Sequence, residues 1–63
     1  MIKLRDKDGT KVFLNGFNVN FLKEVEIDDV HYTKIDFDDS TLIIDENIEI
    51  LASLIDDSIR ILS

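Results

Sequence analysis

Residues 6–10 read DKDGT, and the fold of the N-terminal part of the chain turns on them. Asp6-Lys7-Asp8-Gly9-Thr10 looks like the middle of a calcium-binding EF-hand loop. It also looks like the tip of a β-hairpin. An EF-hand loop has twelve positions with Gly at the sixth. With Gly9 there, Asp6 and Asp8 fall at the third and fifth positions, as ligands should. The first position is then Leu4, which has no ligating atom, and the twelfth is Asn15, which has no carboxylate. Nor does a helical pattern precede the loop. The hairpin reading has no such gaps. With Lys7-Asp8-Gly9 as a three-residue connection and Gly9 left-handed, Asp6 faces Thr10, Leu4 faces Val12 and Ile2 faces Leu14. All four apolar residues then share one face. A two-residue Asp8-Gly9 turn would put Arg5 opposite Val12. DKDGT is therefore read as the tip of a hairpin.

The chain has 63 residues and no Cys. That length makes one domain, residues 1–63, without a disulfide or thiolate metal site. A chain of this size buries only about 60% of its unfolded surface and is marginal alone. Apolar runs such as Leu42-Ile43-Ile44 are far shorter than a membrane span. The N-terminal residues lack the apolar stretch of a signal peptide. A cytoplasmic protein without membrane insertion is expected. The net charge is -7 and unevenly placed. Residues 1–21 carry Lys3, Arg5, Lys7 and Lys11 against Asp6 and Asp8, whereas Leu22 onward holds three cations against twelve acids. Such a balance repels phosphate backbones, so no direct nucleic-acid binding is expected. The acids either keep the chain dispersed or engage a basic protein.

Asn15-Gly16 marks a second turn, after which Phe17, Val19, Phe21, Val25 and Ile27 alternate like a strand. Leu22 points the other way, which predicts a bulge or a change of face near Leu22–Glu24. A helical turn around 18–23 competes with this. Asp28-Asp29 reads as a turn. Val30 to Phe37 and Thr41 to Ile44 form a second hairpin around Asp38-Asp39-Ser40, with Phe37 expected opposite Leu42 and Ile35 opposite Ile44. The period then changes. Ile44, Ile48, Leu51, Ile55, Ile59 and Leu62 make the stripe of an amphipathic helix, with Asp45 as its expected N-cap. A short strand at 59–62 is the alternative there. The fold class is α+β: a small antiparallel sheet of four to five strands, in two hairpins, with one C-terminal amphipathic helix. The expected core is Ile2, Leu4, Val12, Leu14, Val19, Phe21, Ile35, Phe37, Leu42, Ile44, Ile48, Leu51 and Ile55.

Beside the helical stripe, Ile50, Leu54 and Ile61 form a second apolar line. Either the sheet wraps the helix or this line packs on another chain. The second reading predicts a twofold homodimer with Leu54 near its centre. Nothing in the sequence points to catalysis, a cofactor or a metal. His31 has only acids as neighbours in sequence, the serines have no base, and Asp36, Asp38 and Asp39 read as turn residues. No phosphate-binding loop and no basic patch with interleaved aromatics is legible. A non-enzymatic protein-interaction module is expected.

The order of motifs resembles the small flagellar and swarming-motility proteins of the FlbD/SwrD type. The residues that carry this are Met1-Ile2-Lys3-Leu4, Asp8-Gly9, Val12-Phe13-Leu14-Asn15, the segment Asn18 to Glu26, and the run from Tyr32 to Ile55. Asp38-Asp39-Ser40 stands where that family prefers a Gly-containing turn. The resemblance implies a bacterial motility accessory role without an active site. A meander ending in a helix is also similar in architecture to the single-strand-binding transcriptional coactivators, which dimerise. With the acidic balance, that suggests the alternative: a phage or mobile-element protein that binds and inhibits a host nucleic-acid-handling protein.

Overall fold

The structure, a computed structural model, describes residues 1–62, with side chains described through Arg60. In chain order it has β1 (Ile2–Arg5), β2 (Lys11–Leu14), a 3-10 turn (Gly16–Asn18), β3 (Phe21–Ile27), β4 (Val30–Asp36), β5 (Thr41–Ile44) and α1 (Ile48–Leu62). The class is α+β with one C-terminal helix, as expected. The strands, however, form two antiparallel ladders, β1-β2 and β3-β4-β5, rather than a single sheet. Among the described residues, the ladders are joined at the isolated bridge between Asp6 and Ile44. There Lys7 N–H donates to the Ile43 carbonyl at 3.0 Å, and Asp45 N–H donates to the Arg5 carbonyl at 2.9 Å. The seam is short because β5 has four residues before the chain leaves for the helix.

The DKDGT hairpin forms in the expected register, with Ile2 opposite Leu14 and Leu4 opposite Val12. Gly9 is left-handed at φ 85°. The Asp6 carboxylate accepts from the N–H groups of Asp8 and Thr10, both at 2.9 Å. Asp6 thus satisfies turn donors that would otherwise be unpaired.

Three expectations are corrected downstream. Asn15-Gly16 marks a turn, as expected, but the 3-10 turn it opens takes in Phe17 and the strand starts only at Phe21: the Asn15 side chain accepts from Phe17 N–H at 3.0 Å. Phe17 therefore leaves the strand series. Gly16 is buried here, and a Cβ on it would lie 3.4 Å from Ile55 Cγ2, so the turn packs closely beneath α1. Second, β4 and β5 pair two residues away from the expected register. Ile35 faces Leu42, Thr33 faces Ile44 and Asp36 faces Thr41. The tight loop in which Phe37 N–H donates to the Ser40 carbonyl at 2.8 Å sets this pairing. Third, the helix is capped by Asn47 rather than Asp45. Asn47 Oδ1 accepts from the N–H groups of Glu49 (2.8 Å) and Ile50 (3.2 Å). Asp45 lies in the bend after β5, where its N–H is held by the Arg5 carbonyl. The helical reading of residues 59–62 holds.

The buried core is Ile2, Leu4, Leu14, Ile35, Ile44, Leu51 and Ile55, with Val19, Leu22, Phe37, Leu42 and Ile59 packed around it. Val12 and Ile48 are half-buried. Phe21 is 50% exposed and is not core. In β3 the side facing the helix begins at Leu22, opposite Ile35, so Phe21 lies on the other side, opposite Asp36. Thr33 is buried, and its hydroxyl donates to the Glu46 carbonyl at 2.8 Å, which ties β4 to the start of α1.

Candidate interaction surfaces

Two exposed surfaces stand out, one on the helix and one on the sheet. On α1, Leu51 and Ile55 point into the core while Ile50 and Leu54 remain 52% and 39% exposed. These two are the sequence-predicted interface residues. The side chain of Ile61, the third, lies outside the described residues. At about 100° per residue, Asp57 borders the Ile50–Leu54 line on α1. Arg60 Nη1 lies 3.9 Å from Asp57 Oδ1 at the end of the helix.

The second surface was not legible in the sequence. Successive residues of a strand point to opposite faces. Because Ile2, Leu4, Leu14, Thr33, Ile35 and Ile44 are buried under α1, their neighbours project to the outer side. These neighbours include Lys3, Arg5, Lys11, Lys23 and Lys34, five of the seven cations of the chain. The bridge joins Asp6 to the buried Ile44, so both ladders turn this face the same way. Register then assembles it. Lys3 pairs with Phe13, and Arg5 with Lys11. Lys23 stands directly opposite Lys34, Lys34 opposite Ile43, and Val25 opposite Tyr32. Phe13 is 58% exposed. The face carries these cations with aromatic and aliphatic groups between them and Asp36, opposite Phe21 and Thr41, at one end, in a chain whose net charge is -7. Its partners are scattered from residue 3 to residue 43, which is why no local motif announced it.

The remaining polar groups have local roles. Asn20 Nδ2 donates to Asp38 Oδ1 at 2.8 Å and to Asp36 Oδ2 at 3.3 Å, so these acids clamp the start of β3 to the end of β4. His31 Nε2 lies 3.8 Å from Glu26 Oε2, with both groups exposed. A cleft of about 260 Å³ along the seam is lined by Lys3, Leu4, Arg5, Asp45 and Glu46, where opposite charges face one another. Among the described residues, no group of three or more His, Cys, Asp or Glu side chains is placed to hold a metal ion. No helix among them is long and apolar enough to cross a membrane. No protein-family model, curated protein or solved structure matches the chain.

Proposed function

We propose that the protein is a cytoplasmic, non-enzymatic interaction module that self-associates, as a homodimer in its smallest form, through the outer line of α1. The observation that carries this reading is the exposure of Ile50 and Leu54 side by side on the only α-helix of the described residues. An apolar strip of this kind on so small a domain commonly marks an interface. Both roles expected from the sequence, a motility accessory and an inhibitor of a basic nucleic-acid-handling protein, require a docking surface of this type. Light scattering at micromolar concentration tests the reading. The wild type should exceed the 7.3 kDa of one chain, and Leu54→Glu should return it to one chain with an unchanged circular dichroism spectrum. A folded wild-type monomer would overturn it.

A further inference from the structure

We infer that the outer sheet face binds single-stranded nucleic acid, with its cations on phosphates and its exposed rings stacked on bases. Averaged over the chain, the charge of -7 opposes a polyanion. The fold does not spread that charge evenly. Five cations share the outer face, and none of them forms an ion pair among the described residues. Arg5 stands directly opposite Lys11, and Lys23 directly opposite Lys34. Like charges so placed destabilise a sheet, and a chain of phosphates relieves both pairs. Carboxylates limit the cationic area: Asp45 and Glu46 line the seam cleft with Lys3 and Arg5, and Asp36, at one end, accepts from Asn20 Nδ2 at 3.3 Å. The acids of α1 lie across the core. Even the shortest extent of the molecule is 20 Å, against a Debye length of about 8 Å at physiological salt, so those acids are largely screened from a strand on the sheet. The rings favour a nucleic acid over an acidic protein segment. Phe13 and Phe21 are 58% and 50% exposed. Each has a lysine two residues away on the same side, Lys11 and Lys23, at about 7 Å along the strand. One nucleotide spans such a distance, with its base on the ring and its phosphate on the ammonium. Every base offers a face to stack. A duplex keeps its bases inside and would leave both rings in water. The face lies across the core from Ile50 and Leu54, so the inference holds whether or not chains self-associate.

Fluorescence anisotropy of labelled oligothymidylate and oligouridylate tests this, the two arms telling DNA from RNA. The wild type should bind at least one of them, and affinity should fall roughly a hundredfold between about 50 and 200 mM salt. Phe13→Ala should weaken binding about tenfold and leave the salt dependence as it was. Lys23→Gln should weaken binding and lower the logarithmic salt slope by about 0.7. Both positions are exposed, and an unchanged circular dichroism spectrum guards against a folding defect in either variant. Arg60→Gln, at the end of α1 and with the same loss of charge, should bind like wild type. Absence of binding by the wild type overturns the inference. So does equal binding of a duplex of the same length. Equal displacement of the strand by polyglutamate overturns it too, and assigns the face to an acidic protein segment. A wild type that binds the strand as a monomer leaves the inference standing and defeats only the self-association reading.

Discussion

The β1-β2 hairpin and the β3-β4 hairpin follow the same pairing rules and are held by different means. In the first, four residues per strand suffice, since Ile2, Leu4 and Leu14 are all buried beneath α1. Its turn is relaxed, with Gly9 at the one left-handed position. In the second, seven residues pair with seven without a bulge. Only its near half, Leu22 and Ile35, meets the core. Beyond Lys23 the apolar residues change sides: Val25, Ile27, Val30 and Tyr32 lie on the outer face, while Glu24, Glu26 and His31 occupy the inner one. Its turn places Asp28 at φ 52° and Asp29 at φ 65°, a two-residue connection with no glycine. The first hairpin is secured by burial. The second has a far half whose apolar residues, among the described residues, lie outside the core.

The strongest way to break this contrast is to remove equivalent bulk from each region. Ile44→Ala empties a fully buried site where the two ladders join and should cost about 3 kcal/mol. For so small a domain, that leaves a large unfolded fraction. Val25→Ala, on the uncovered half, should cost less than about 1 kcal/mol in dilute samples. Urea denaturation of the two variants measures both, and equal losses would erase the distinction. The turns should respond with opposite signs. A Cβ on Gly9 would meet nothing within 4 Å, so Gly9→Ala tests the backbone alone and should lower stability by about 1 kcal/mol. Asp29→Gly supplies the residue that a connection left-handed at both positions prefers and should raise stability by about 0.5 kcal/mol. The smallest effect sharpens the comparison on the outer face. Lys23→Glu turns a like-charge pair with Lys34 into an opposite-charge pair, and should raise the melting temperature of dilute protein by an amount equivalent to about 0.3 kcal/mol.

What the sequence revealed follows the same division. The first hairpin was legible because a wrong turn length would put Arg5 opposite Val12, and one face of that hairpin is buried. The β4-β5 register was not, since a slip of two residues leaves every side chain on its original face. Apolar pattern alone cannot separate Ile35 opposite Leu42 from Ile35 opposite Ile44. The helix stripe placed Leu51 and Ile55 in the core and left Ile50 and Leu54 outside, as the structure has them. The cap was misplaced because Asp45 and Asn47 are both good caps, and the choice between them depends on Arg5, forty residues earlier in the chain. Phe21 was misassigned because alternation was read through Phe17, which belongs to the 3-10 turn. The cationic face depends on pairing across five strands, and no window of the sequence contains it.

The gathering of cations on one side also sets how two copies would meet in time. At low ionic strength, where the Debye length reaches about 30 Å at 0.01 M, each chain presents its whole charge of -7, and two copies repel. Closer in, an approaching copy meets the charge of the face it nears, and the outer sheet face carries five of the seven cations. Approach toward that face is therefore the least opposed. In the proposed self-association, added salt should speed arrival by screening the repulsion. A stopped-flow record of association would then show a binding rate constant that rises with ionic strength.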